Sequence, residues 1–309
     1  DMSAAEAVKI IFSNLLETIK QNENGIKKDI DTEFLHDFRV AVRRTRSAFS
    51  QIKGVFPERD VERLKKKFSI IGKKTNRLRD LDVYLLEKNK YMEMLSEYLG
   101  AGLVPIFKKL ATERKTEQNK LATFLESGNY KKIVSHFENY LLNENVNPGS
   151  APNSDKKIIE LAQKFIWKKY NQIIDKGRKI DELSPDPILH ELRIECKKLR
   201  YLLEFFYSLF PEKEISNIIK QLKKLQDNLG DFNDLFVQQQ SLKNMLDKFN
   251  SRGSEIKKVS ASVGGLIAVF YQKQKEIRAE FSNCFSELNN EENFKLFSKL
   301  FYTEGEVEK

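Results

Sequence analysis

Two stretches of this chain write the same helix. LHDFRVAVRRTRSAFSQIKGVFP runs from Leu35 to Pro57, and LHELRIECKKLRYLLEFFYSLFP runs from Leu189 to Pro211. An offset of 154 positions (190 minus 36 for the two histidines) lays Leu35, His36, Arg39, Arg46, Phe56 and Pro57 on identical residues. The same offset puts Arg43 and Arg44 on Lys197 and Lys198. A repeat of this kind constrains the architecture before any single element does, because each copy must bury the same face. The apolar frame agrees: Leu35, Phe38, Val42, Thr45, Phe49, Ile52 and Phe56 fall on Leu189, Leu192, Cys196, Leu199, Leu203, Phe206 and Phe210. Steps of three and four are those of a helix that buries one stripe.

The surroundings of the two helices also match. Thr32 and Asp186 occupy equivalent positions and are read as N-caps, the second followed by Pro187. A second long helix follows each Phe-Pro, over 58–97 with a break near Asn89, and over 212–249. Late in these helices RLRDLDV (Arg77 to Val83) is paired with NLGDFNDL (Asn228 to Leu235), which sets Asn228 and Gly230 against Arg77 and Arg79. GLVPIFKKL at Gly102 and GLIAVFYQK at Gly265 are each read as opening a further helix. Between the copies, NENVNPGSAPNSD (Asn143 to Asp155) has the polar, Pro- and Gly-bearing composition of a linker. With 13 Gly and 7 Pro in 309 residues there is little punctuation, so long helices are expected and no strand. The fold class is therefore all-α: two duplicated helical bundles, 1–142 and 158–309, joined by a linker at 143–157.

Cys196 and Cys284 sit among apolar helical residues and read as small core side chains, which suits a reducing, cytoplasmic setting. No signal peptide is read at the start. The most apolar run, Val263 to Tyr271, is too short to span a bilayer.

A net charge of +9 makes an anionic partner plausible, and the placement of the charge sharpens that. At about 100° per residue, His36, Arg39, Arg43 and Arg46 share one narrow stripe, a column about 15 Å long. His190, Arg193, Lys197 and Arg200 form the equivalent column. A solvated helix face usually mixes signs at these spacings. Arg39, Arg43 and Arg46 have no acidic residue three or four positions away, and only Glu204 relieves the second column. Stacked like charges cost a few tenths of a kcal/mol per pair, so a ligand that neutralises them is expected. The following helix adds eight basic against three acidic residues between Val61 and Asp82, with Lys66, Lys73 and Arg77 opposite its buried stripe. Lys220, Lys223 and Lys224 hold similar ground in the second copy, more thinly. The planar fork of arginine grips phosphate oxygens in pairs, while lysine serves as a mobile point charge.

LHDFRVAVRRTRS with RLRDLDV, and LHELRIECKKLRY with LGDFND, resemble the signature of the CHAD family, the conserved histidine α-helical domain. The resemblance covers nearly the whole chain. It implies two four-helix bundles related by pseudo-twofold symmetry, binding inorganic polyphosphate along a basic channel. Carried onto this sequence, it makes His36, Arg39, Arg43, Arg44, Lys73, His190, Arg193, Lys197 and Lys224 polyphosphate contacts. The charge pattern adds Arg46, Lys66, Arg77, Lys198, Arg200 and Lys220. Members of the family are often joined to a CYTH hydrolase domain bearing E-x-E-x-K. Here EGEVEK (Glu304 to Lys309) has Glu308 where that lysine belongs, so a stand-alone domain is expected, with polyphosphate granules as one location.

Two other classes stay open. A basic groove could hold a nucleic-acid backbone, although Phe38, Phe49 and Phe68 lie on the buried stripe and not among the basic residues. A metal-dependent phosphatase would need carboxylates such as Asp80 with Asp82 or Asp231 with Asp234. Asp80 and Asp82, two residues apart, point to different sides of a helix, which counts against their sharing an ion. With 3 His and no zinc-binding pattern, the expectation is a binding protein without cofactor or metal.

Overall fold

In the computed structural model the repeat surfaces as matching helix boundaries. Residues 2–142, 151–249 and 253–303 are described. α1 (Ala4–Lys27) leads into α2 (Thr32–Gln51) and α3 (Glu58–Leu86). Two short helices, α4 (Lys88–Glu93) and α5 (Glu97–Gly102), precede α6 (Val104–Glu126) and α7 (Gly128–Leu142). The second half holds α8 (Ile158–Gly177), α9 (Asp186–Phe205), a 3₁₀ turn at Tyr207–Leu209, and α10 (Glu212–Asp247). α11 (Ser254–Ala279), α12 (Phe281–Leu288) and α13 (Glu291–Phe301) complete it. The two histidine helices, α2 and α9, are offset by 154 at both ends (186 minus 32, 205 minus 51), and α10 starts 154 residues after α3. The protein is all-helical among the described residues, where one isolated bridge, Ser3 to Lys157, is the sole β pairing. No described helix is long and apolar enough to cross a membrane.

Several local expectations need correction. Asp31, not Thr32, caps α2: its extended backbone lets the carboxylate accept from Glu33 N at 2.7 Å, and negative charge suits a helix start. Asp186 is the first residue inside α9; Pro185 holds the cap position with no side-chain bond. The helix after the first Phe-Pro stops at Leu86, where the chain turns at Glu87 into α4. Gly265 does not open a helix but lies within α11, where the missing side chain admits Leu95 and Leu99. Part of the linker, 143–150, and the tail from Glu304 fall outside the described residues. The rest of the linker is pinned to the first half. Asn153 N donates to Gly54 O at 2.7 Å, its side chain donates to Lys53 O at 2.9 Å, and Ala4 N donates to Lys156 O at 2.8 Å.

The stripes legible in sequence are the core. Leu35, Phe38, Val42, Thr45, Phe49, Ile52 and Phe56 are all buried, as are Leu189, Leu192, Cys196, Leu199, Leu203 and Phe206. Phe12, Phe49, Phe68 and Phe137 pack at centroid distances of 4.3 to 6.4 Å in the first half. Tyr170 stacks on Phe297 at 3.8 Å in the second. The apolar interior does not divide at the linker. One cluster runs from α1, α2, α3 and α7 through α8, α9, α10 and α13. A second joins Leu81, Tyr84, Tyr91 and Phe107 of the first half to Leu242, Val263, Leu266 and Phe270 of the second.

α5 meets α11 at Gly102, where a Cβ would collide with the Ser262 hydroxyl and come within 3.1 Å of Lys258 O. Overpacking a close helix contact costs about 1–3 kcal/mol. Gly102→Ala is therefore expected to lower the unfolding free energy by that amount, read as a lower urea midpoint at an unchanged slope. An unaltered midpoint would show that the helices yield at no cost.

Candidate anion-binding site

Because α2 buries its apolar stripe, His36, Arg39, Arg43 and Arg46 are carried on the other side, next to α3. Arg39 Nη1 donates to Thr75 Oγ1 at 2.5 Å and to Asn76 Oδ1 at 2.9 Å. Arg79 donates to His36 Nδ1 at 2.8 Å. Arg46 lies over Gly72, where a Cβ would stand 3.4 Å from its guanidinium. In the second half, His190 Nδ1 meets Asn233 Oδ1 at 2.6 Å, and Arg193 donates to Asp234 Oδ1 at 3.2 Å.

These contacts revise the alignment of the two copies. His36 to Arg79 and His190 to Asn233 both span 43 residues, so the offset of 154 persists along α3 and α10. Arg79 therefore corresponds to Asn233, and Arg77 to Asp231; Asn228 and Gly230 are not their counterparts. An uninterrupted helix cannot shift register, and the local likeness of RLRDLDV to NLGDFND was misleading for that reason. The partners also set the histidine protons. Arginine only donates, so His36 Nδ1 accepts and its ring proton is on Nε2. The Asn233 amide donates to Asp234 Oδ1, which turns its oxygen toward His190, so His190 carries its proton on Nδ1.

The two columns meet near Arg43 and Lys197. Neither makes a hydrogen bond or ion pair among the described residues, and Arg43 is exposed. Lys197 is half-buried, and its pKa is pushed down to about 8 by burial first, then by the charges of Arg193 and Arg43, with Asp234 opposing and Arg200 adding. The influence of Arg43 on Lys197 puts the columns of the two halves within electrostatic reach. Burial also lowers the pKa of Arg39, against the pull of Asp80.

Other expected residues are engaged elsewhere. Arg44 pairs across the α2–α9 contact with Glu204, whose other oxygen accepts from Arg200 Nε at 2.7 Å. Arg77 forms a two-pronged pair with Glu113 of α6, both contacts at 2.7 Å. Lys224 bonds Glu287 of α12 at 2.5 Å, and Lys198 bonds Glu195 at 2.7 Å, a carboxylate that Lys169 also holds. Lys66, Lys73 and Lys220 are exposed and make no hydrogen bond or ion pair among the described residues. Arg79 is the participant that the sequence reading passed over. Its signal was its place 43 residues beyond His36, in register with a polar partner of His190.

One carboxylate of each acidic pair is held by an arginine, while Asp231, three residues before Asp234 on α10, has its pKa raised by burial and then by the charges of Asp227 and Asp234. Asp82 is buried and accepts from Arg114 Nε at 2.7 Å, while Arg114 also forks onto Asp29. Asp234 serves Arg193. Among the described residues no group of three or more His, Cys, Asp or Glu is placed to hold a metal ion.

The CHAD domain family model matches residues 10–243, more than half of the 309. The chain belongs to the CHAD domain family. Its fold matches that of the CHAD domain from the plant Ricinus communis, a crystal structure, with a TM-score of 0.77 at 23% identity, covering 94% of this chain and 92% of that one. PptA from Streptomyces chartreusis matches with a TM-score of 0.63 at 12% identity, over 89% of this chain and 99% of that one. At such identities the likeness shows the fold alone. No curated protein matches this CHAD-family chain in sequence.

The depressed pKa of Lys197 has a stability consequence. The folded state disfavours its ammonium, so the penalty is full below pH 8 and fades as pH rises toward the ordinary lysine value near 10.5. Lys197→Met is expected to raise Tm by about 2 °C at pH 7, with the gain shrinking above pH 8. A fall in Tm at pH 7 would mean that the ammonium is held by a partner.

Proposed function

We propose that this CHAD-family chain binds inorganic polyphosphate without chemistry of its own, along the His36–Arg46 and His190–Arg200 columns. The two halves are read as duplicated four-helix repeats related by a pseudo-twofold axis through the α2–α9 contact. The observation that carries the reading is the approach of Arg43 to Lys197 with no carboxylate bonded to either. A folded protein keeps such a group where an anion completes it. Arg39, Arg193 and the two histidines flank this centre, and Lys66, Lys73 and Lys220 remain exposed to extend it. Arg44 and Arg200, tied to Glu204, shape the floor, while Arg77, Lys198 and Lys224 serve the scaffold first.

Nucleic acid is the second reading, and one observation favours it. Phe236 is 45% exposed and lines a cavity of about 330 Å³ beside His190. A single aromatic at one end is not the interleaved series on which successive bases stack. The phosphatase reading loses one carboxylate of each pair, Asp82 to Arg114 and Asp234 to Arg193.

Calorimetry with long-chain polyphosphate, against single-stranded DNA, duplex DNA and orthophosphate, tests the proposal. Polyphosphate is expected to bind tightest, with log affinity falling linearly as log salt rises through counterion release. Arg39→Ala/Arg43→Ala/Arg193→Ala should weaken it by about 100- to 1,000-fold, at about 1–1.5 kcal/mol net for each of the three solvent-screened contacts. Because the bound anion favours the Lys197 ammonium, binding takes up a proton, and affinity drops as pH rises through about 8. Equal affinity for DNA would make the chain a general polyanion binder; no binding would end the proposal.

A further inference from the structure

Lys197 is placed unlike the exposed lysines around it. On α9 it follows Arg193 by four residues and precedes Arg200 by three, so both guanidinium-bearing side chains are its neighbours on the same face. Arg43 of α2 acts on it from the other half, and Asp234 of α10 opposes these charges while already accepting from Arg193. The amine is half-buried and has no hydrogen-bond acceptor among the described residues.

Two chemical properties therefore coincide. Arg43, unbonded among the described residues, together with the remaining N–H groups of Arg193 and Arg200, which also hold Asp234 and Glu204, offers donors for a phosphate dianion. The amine among them gives up its proton far more readily than an ordinary lysine, since neither a carboxylate partner nor full hydration supports the ammonium. A docked phosphate draws the amine back toward its ammonium, so the nucleophile is the fraction that stays neutral under the surrounding guanidinium charges, on the same logic by which a neighbouring cation activates a lysine elsewhere. We propose that Lys197 is an acylation site, modified without a partner enzyme by small acyl phosphates that dock on Arg43, Arg193 and Arg200.

The step balances without any further reactant. The Nζ lone pair attacks the acyl carbonyl carbon and the C–N bond forms. The C–O bond to phosphorus breaks, and the phosphate leaves with that electron pair and takes up the proton lost by the amine. The products are an amide and hydrogen phosphate. The guanidinium groups stabilise the charge that builds on the leaving phosphate. Acylation replaces an ammonium by a neutral amide at the point where the two columns meet. The labelling chemistry does not depend on polyphosphate being the ligand; an effect of acylation on polyphosphate affinity does rest on that reading.

The test is quantitative mass spectrometry of acetyl-lysine after timed exposure of the intact protein to acetyl phosphate at pH 7.5. N-acetoxysuccinimide, an acyl donor without a phosphate, is run in parallel. Lys197 is expected to label about tenfold faster than Lys66 and Lys220 with acetyl phosphate, from its larger neutral fraction and the docked donor. The preference should narrow with the uncharged donor. Arg43→Gln/Arg193→Gln should reduce the Lys197 rate at least threefold while the circular dichroism of the helices is unchanged. Labelling of Lys197 no faster than that of Lys66 and Lys220 would overturn the proposal. So would a preference equally strong with both donors, because docking would then contribute nothing. Excess tripolyphosphate is expected to protect Lys197. Preferential labelling without protection would support the acylation site and count against polyphosphate at these residues.

Discussion

Two packed helices that each carry a column of cations repel one another, and Glu204 is the group that lets α2 and α9 lie together. One of its oxygens takes Arg44 from the first half, and the other takes Arg200 from its own helix at 2.7 Å. The carboxylate is only 19% exposed, so both contacts are formed in a medium that screens them weakly. Removing it would leave two partly buried guanidinium groups facing each other at the centre of the molecule. The shared apolar clusters hold the halves side by side, and this bridge lets the two cationic columns lie along that contact, so that Arg43 can approach Lys197.

The remaining basic residues divide by what they are given. Arg77 ties α3 to α6 through Glu113, and Lys224 ties α10 to α12 through Glu287. These are pairs between neighbouring helices in the same half, and they place helices without pointing at a ligand. Arg43, Lys197, Lys66, Lys73 and Lys220 have no such bond among the described residues, and the first two act on one another across the α2–α9 contact. The unpaired set weakens the free protein slightly. That is the expected signature of a surface whose charge is completed from outside, and the trade of stability for binding is a common one.

Much of this was legible in the chain. The steps of three and four in Leu35, Phe38, Val42 and Phe49, repeated in Leu189, Leu192, Cys196 and Leu203, specify both the helix and its buried face, so the basic column on the other side follows from geometry. What sequence could not supply was the company each cation keeps. Arg77 and Lys73 look alike along the helix, but Glu113 waits opposite one of them on an element 36 residues away. Arg79 was missed for the converse reason: its partner, His36, is distant in sequence, and only packing brings them together. The local match of RLRDLDV to NLGDFND also outweighed a register that an unbroken helix must keep. Capping went wrong by one residue because Asp31 and Thr32 are both competent caps and the backbone decides between them.

The two apolar clusters carry an implication for either half on its own. Leu81, Tyr84, Tyr91 and Phe107 bury themselves against Leu242, Val263, Leu266 and Phe270, and the larger cluster likewise runs through the α2–α9 contact. A chain of half this length would present half of each interior to water, an apolar surface too large for a stable monomer. It would hide that surface only by associating with a second copy. The covalent join between the halves thus makes permanent an association that separate halves would owe to their concentration.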